Sequence, residues 1–313
     1  MLQSHITQIS KCTGGHIFLV MLNRNLQIFL VVAEKRSITE AAEKLCISQP
    51  AVSKAVKALE EELKLKLFER DKRKGLLITE DGYKVLLLAR QMSDLENRMY
   101  QIAFRSNNFL SGKVKIASMP ILTSVILSKV FYNFRQKYPA ISLELIERSS
   151  AEIRKSVEEH QVDFAITPFP FENLDHEVLL KDRMIAVSKE PLDDMPVVDL
   201  SIQPERYIFF KEAYEASKAY LDAKSINTSK FFFVEQADTA ISLAECNNGI
   251  GIVPELVADH LSNQLIRYPI KPEIDVQISL IGNDLKNLSP AAAELKRMIV
   301  KFTSAMKNNQ PIN

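Results

Sequence analysis

Cysteine, histidine and long apolar runs are all scarce in this chain. Three cysteines among 313 residues, Cys12, Cys46 and Cys246, form an odd and scattered set, which excludes a disulfide framework and suits a reducing cytosol. No apolar run approaches the roughly 18 residues of a membrane span. Ile17 to Leu22, the best near the N-terminus, is six residues long with no small-residue cleavage site after it. A cytoplasmic protein with no membrane partner is expected. The five histidines, His5, His16, His160, His176 and His260, lie far apart. Without zinc-like spacing to each other or to cysteine they read as surface or capping residues rather than ligands. A Walker sequence and a nucleophile elbow are missing too. After Gly249-Ile250-Gly251 come Ile252, Val253 and Pro254 instead of the third glycine of a dinucleotide loop. No catalytic residue, metal or cofactor is expected, and the chain reads as a non-enzyme.

What is present is ordinary globular material, 46% hydrophobic and 25% charged, in a length that suits about two domains. The net charge of +1 hides a division. Residues 21–110 carry 16 Lys and Arg against 12 Asp and Glu, whereas residues 111–313 carry 23 against 27. A basic front and an acidic rear hint at a polyanion-binding module joined to something else. Texture changes at the same place. Helical periodicity runs from Leu22 to about Arg105; beyond Asn107, Asn108, Ser111 and Gly112, short β-rich runs alternate with helical stretches, the mark of an α/β fold with a largely parallel sheet. Residues 1–20 fit neither part and read as a disordered extension, with Met21 as an alternative start to Met1.

In the front region Leu22, Leu26, Phe29, Leu30 and Ala33 mark a first helix ending near Arg36. Ser37 with Glu40 three residues later is a capping box opening a second, whose Ile38, Ala41, Ala42 and Leu45 face inward. Cys46 to Ser48 turn the chain, with Cys46 expected to pack between helices. Ser48 caps the third helix, and Pro50 sits in its first turn, where no amide hydrogen is needed. Val52, Val56, Leu59 and Leu63 share one face. Gln49, Ser53 and Lys57 share the other with Lys54 beside them. Most polar helix faces are merely solvated. Here, though, a short helix presents an amide and cations, as major-groove reading requires, and a basic turn, Lys72-Arg73-Lys74-Gly75, follows between two short strands. Such a wing can lie along a phosphate backbone.

These residues, Ala33-Glu34-Lys35-Arg36-Ser37-Ile38-Thr39-Glu40-Ala41-Ala42, Leu45, Ser48-Gln49-Pro50-Ala51-Val52-Ser53, Leu59-Glu60, Leu63, Leu67-Phe68-Glu69-Arg70 and Leu77-Ile78-Thr79-Glu80-Asp81-Gly82, resemble the winged helix-turn-helix of LysR-type transcriptional regulators. Arg36 and Lys64 depart from the pattern, each standing where glycine is common. The resemblance implies that Gln49, Pro50, Ser53 and Lys54 meet base edges and that Thr39, Lys57, Arg70, Arg73 and Lys74 meet phosphates, with Ser48 at the helix start in the same DNA-facing set. It implies double-stranded DNA, RNA polymerase and a small-molecule effector as partners.

From Glu80 the apolar positions Val85, Leu88, Met92, Leu95, Met99 and Ile102 are spaced three and four apart, an a/d seam along which another helix can pack. Packing on its own domain is the alternative. The resemblance implies a dimerising linker helix here, hence a homodimer or a homotetramer. The expected division is 21–82 for the winged helix-turn-helix, 83–111 for the linker helix and 112–308 for a two-lobed α/β effector-binding domain, which by the resemblance is similar to periplasmic binding proteins.

Ligands of α/β sheets bind beyond the carboxyl ends of strands. Those positions are Ser118, Met119 and Pro120 after the first strand, with Thr123 in the next helix; Ser149 and Ser150 after the second; and Thr167 and Pro168 after the third. Phe209 to Lys211 and Asp238-Thr239 are the counterparts in the second lobe. Hydroxyls at helix starts are more often plain caps than ligand contacts. The resemblance assigns Ser118, Thr123, Thr167 and Thr239 to an effector cleft, with Lys211 the counter-charge if the effector is anionic. Cys246, alone in an apolar helix, reads as a buried inert thiol. Two other readings stay open: an architectural DNA-binding protein without an inducer, and a small-molecule-binding protein whose front helices serve only for oligomerisation.

Overall fold

The computed structural model describes residues 23–71, 73, 75–105, 110–168, 173–192, 196–261 and 264–307. The extension 1–20, the choice between Met1 and Met21, Cys12, His5, His16 and Lys74 lie outside these residues. The chain divides into two compact units at Ala103/Phe104.

The first unit runs α1 (Arg24–Lys35), α2 (Ile38–Leu45), α3 (Gln49–Leu63), β1 (Phe68–Asp71), β2 (Gly75–Ile78) and α4 (Glu80–Arg105). Each start is set locally. The Asn23 side chain accepts from the Asn25 amide, Ser37 from Glu40, and Ser48 from Ala51, satisfying amides that a helix's first turn leaves open. Each of the three helices ends on a residue in the left-handed region that is not glycine: Arg36 (φ 51°), Cys46 (φ 54°) and Lys64 (φ 55°). Cys46 is exposed at this cap, so it does not pack between helices as expected. Ile28, Val32, Ala41, Ala42, Val52 and Val56 form one small core; Phe29, Leu59, Leu67, Leu86 and Ala89 form a second, which joins the wing to α4. A Cβ on Gly82 would fall on the Leu67 carbonyl oxygen, so only glycine lets α4 approach the β1 entrance so closely.

The second unit holds β3 (Gly112–Ser118), a helix α5 built of Pro120–Leu122, a π-helical turn Thr123–Leu127 and Ser128–Lys137, then β4 (Ile141–Glu147), α6 (Ser150–Glu158), β5 (Phe164–Thr167) and the long β6 (Asp175–Ser188). There follow β7 (Val198–Asp199), β8 (Tyr207–Phe210), α7 (Lys211–Ala223), β9 (Phe232–Val234), α8 (Ala237–Glu245), β10 (Ile250–Pro254), α9 (Glu255–Leu261), β11 (Ile266–Lys271), β12 (Asp275–Gly282) and α10 (Pro290–Lys307). The strand order is β4-β3-β5-β12-β6-β10-β8-β9. The parallel sheet expected from the sequence holds for β3, β4 and β5 and for β8, β9 and β10, but β6 and β12 run antiparallel to their neighbours.

Two lobes arise because β6 serves both. Its Asp175–Arg183 half pairs with β12, and its Met184–Val187 stretch pairs with β10. The C-terminal helix α10 packs on α5, β3 and β6, and its Glu294 accepts from the Tyr138 hydroxyl at 2.7 Å and pairs with Lys137 and Arg297. Two half-buried carboxylates tie remote backbone together. Asp163 accepts from the Lys115 amide at 2.8 Å, and Asp182 accepts from the Leu256 amide at the start of α9. Burial pushes both up to about 6.

Candidate nucleic-acid interface and effector cleft

In α3 the apolar face packs into the core through Val52, Ala55, Val56 and Leu59, whereas Leu63, expected on the same face, is 40% exposed because it is the last residue of the helix. The opposite face leaves Gln49, Pro50, Ser53, Lys54 and Lys57 exposed, with Thr39 exposed on α2. Lys57 reaches Glu61 at 3.6 Å within its own helix, an exposed pair that a phosphate would readily replace. Ser48 is engaged with the Ala51 amide at 3.3 Å, so its hydroxyl defines where the helix begins. Glu60 holds the wing against the helix: one carboxylate oxygen accepts from the Leu67 amide at 2.8 Å and the Phe68 amide at 3.2 Å. The wing register Phe68↔Ile78, Glu69↔Leu77 and Arg70↔Leu76 leaves Arg70 exposed, and Arg73 is exposed in the turn. A rigid helix with a free polar face beside a basic hairpin can enter a major groove while the hairpin touches phosphate.

Along α4 the predicted seam is visible as an apolar stripe. Leu88, Met92, Leu95, Met99 and Ile102 are 51–61% exposed, and Val85 is half-buried against the winged-helix core. Packing of these five on their own unit is therefore not what the structure contains.

A cleft of about 1000 Å3 opens between the lobes of the second unit. One wall is Met119, Pro120 and Ile121 after β3 together with Glu147 to Glu152 after β4; the other is Lys211, Glu212 and Glu215 on α7 with Glu235 and Gln236 before α8. It lies beyond the carboxyl ends of parallel strands, as such sites do. Of the five residues expected there, only Lys211 lines it. Ser118 is fully buried and donates to the Met119 carbonyl, as does Thr123. Thr167 is fully buried and its hydroxyl has no protein partner. Thr239 is exposed on α8 but outside the lining. Lys211 is itself paired with Glu235 at 2.9 Å, which holds its ammonium above the ordinary lysine range. Five glutamates, Glu147, Glu152, Glu212, Glu215 and Glu235, line the cleft without a sequence signal, because an exposed glutamate in a helix or at a strand end looks the same whether it faces solvent or the other lobe. The strand-end positions Met119, Pro120, Ser149 and Ser150 were legible. Cys246 is exposed at the end of α8, so it is not the buried thiol expected from its apolar helix.

Residues 23–83 match the model of the bacterial regulatory helix-turn-helix protein, lysR family, and residues 107–303 match the LysR substrate binding domain. The chain belongs to the LysR family. It is 39% identical over 285 residues to the HTH-type transcriptional regulator YoaU of Bacillus subtilis, covering 90% of this chain and 98% of that protein. It is 26% identical over 293 residues to the nitrogen assimilation regulatory protein nac of Escherichia coli, covering 90% and 95%. Among solved structures, a full-length OxyR variant of Pseudomonas aeruginosa has the same fold, with a TM-score of 0.70 at 17% identity over 91% of this chain and 95% of that one. Full-length CbnR in complex with its target DNA superposes with a TM-score of 0.51 at 21% identity, over 90% of this chain and all of that one. Members of this LysR family are transcriptional regulators rather than enzymes. Among the described residues no helix is long and apolar enough to cross a membrane, and no group of three metal-ligating side chains occurs.

Proposed function

We propose that this LysR-family protein is a sequence-specific transcriptional regulator acting in the cytoplasm. Gln49, Pro50, Ser53 and Lys54 read base edges, and Thr39, Lys57, Arg70, Arg73 and Lys74 hold phosphates. Val85, Leu88, Met92, Leu95, Met99 and Ile102 pair two α4 helices in a homodimer or a homotetramer, so that two winged domains read two half-sites. A small molecule in the interlobe cleft alters the output at the promoter, where the regulator meets RNA polymerase. The observation that carries this reading is the exposed Gln49-Ser53-Lys57 row on a helix whose other face buries Val52, Ala55, Val56 and Leu59.

Footprinting the purified protein on the DNA flanking its own gene tests it. Protection of two half-sites separated by about one helical turn is expected. Equal affinity for every duplex would sink the regulator reading.

A further inference from the structure

The charge inside the interlobe cleft decides what kind of molecule suits it. Five glutamates line it, Glu147, Glu152, Glu212, Glu215 and Glu235, against two cations, Arg148 and Lys211. The groups that would welcome an anion are already engaged from within the chain. Lys211 pairs with Glu235 at 2.9 Å. The backbone amide of Ser150, in the first turn of α6, donates to Glu212, a carboxylate that reaches across from α7 in the opposite lobe. Glu152 accepts from both the amide and the hydroxyl of Ser149. Arg148 folds back so that Nη1 donates to the Glu147 carbonyl at 2.9 Å, and its charge acts on Glu152.

An incoming carboxylate would have to displace Glu212 from the Ser150 amide and enter a field that is negative overall. The carboxylates of Glu147 and Glu215 are exposed in the cleft and take part in no ion pair among the described residues, and Glu215 adds its charge to that of Glu235 at Lys211. Between these charges Met119, Pro120, Ile121 and Ala151 supply apolar surface. Carboxylates left over beside an apolar floor suit an ammonium or guanidinium group on a hydrocarbon body, whose charge is attracted and whose stem is desolvated.

We propose that the effector of this regulator is an organic cation, an amine or guanidine with an apolar portion, bound in the interlobe cleft through Glu147 and Glu215. This rests on the reading of the cleft as the effector site and adds the ligand's chemical class. It replaces the anionic effector expected from Lys211, because five carboxylates face two cations in the lining and one of them, Glu235, pairs with that lysine.

Titration calorimetry on the full-length protein without DNA, at fixed ionic strength, tests the proposal with putrescine, agmatine and phenethylamine against succinate, glutarate and phenylpropionate. At least one amine should bind, and no carboxylate should. The Glu147→Gln/Glu215→Gln double variant should bind that amine roughly tenfold more weakly, the loss expected for charge-assisted contacts, while its melting temperature without ligand stays unchanged. An amine that binds equally well to the double variant overturns the proposal. Carboxylate binding without amine binding also overturns it, yet leaves the effector cleft standing. Failure of both classes overturns it as well. The cleft reading is tested separately by Ala151→Trp, which obstructs the cleft: unchanged promoter output in that variant would remove the effector role, whatever the ligand class.

Discussion

The two units of this protein hold their functional groups by different means. In the winged helix the contacts are local: Ser37 caps with Glu40, Ser48 with Ala51, and Glu60 reaches seven residues ahead to Leu67. In the effector domain the decisive contacts are remote, with Asp163 meeting Lys115, Glu212 meeting Ser150 and Glu294 meeting Tyr138. A site built from one helix inherits its geometry from residue spacing. A site built between two lobes has no geometry until the lobes have been assembled. The first kind should therefore tolerate damage elsewhere in the chain, and the second should not.

The sharpest break of this contrast is at α4, whose apolar stripe is exposed and is proposed to pair with a second copy. Met92→Glu with Leu95→Glu should yield monomers by sedimentation and lower operator affinity by about a hundredfold, since paired domains gain chiefly from effective concentration. The isolated fold of the winged helix should survive, because neither residue is in its core. Within the recognition helix the expected effect is smaller. Gln49→Ala should lose about 1–3 kcal/mol of discrimination at one base position. Arg73→Ala should instead weaken binding to all sequences and reduce the salt slope by about 1. Gel shifts at several salt concentrations in which both variants behave alike would refute this division of labour.

A third effect belongs to the effector domain alone. Burial raises Asp163 from 3.8 to about 6, so the folded state keeps a proton that the unfolded chain releases. The stability this group contributes is complete below pH 3.8 and is lost as pH rises through about 6. Asp163→Asn keeps an acceptor for the Lys115 amide and should stabilise the domain at neutral pH by on the order of 1 kcal/mol, with no gain near pH 4. Chemical denaturation at the two pH values reads this directly. Glu294 acts in the opposite sense. Hydrogen bonding to Arg297 leads the causes that hold it near 2, below its ordinary 4.5, so its contribution is lost as pH falls through that range.

The smallest effect returns to the winged helix. Arg36 and Lys64 close their helices in the left-handed region where a side chain is strained. Arg36→Gly and Lys64→Gly should each raise stability by up to about 1 kcal/mol, less the backbone freedom that glycine restores to the unfolded chain. Thermal melts that fall in both variants would mean that these side chains support the caps in another way.

The wing and α3 could be read in advance because each exposed polar residue there is defined by its place in a short periodic segment and its cap. The α4 stripe was legible for the same reason. The first half of β6 carries no strand signal of its own, since it is rich in charge, is half-exposed and pairs with β12, a strand roughly a hundred residues later. Glu212 and Glu215 were not legible in the sequence, because nothing local to them marks them as facing another lobe. Cys46 and Cys246 were misplaced for a related reason: both end helices, and exposure at a helix end depends on what packs beyond it.

Periodicity, capping residues and the change of texture near residue 107 were enough, by themselves, to specify a basic winged helix, an apolar linker stripe and an α/β domain after it, since each depends on interactions within a few turns of chain. The charge and lining of the cleft were decided by tertiary structure alone. A carboxylate's partner there, whether a lysine, an amide or an incoming ligand, is chosen by distances across two lobes that share β6, and no spacing along the chain encodes those distances.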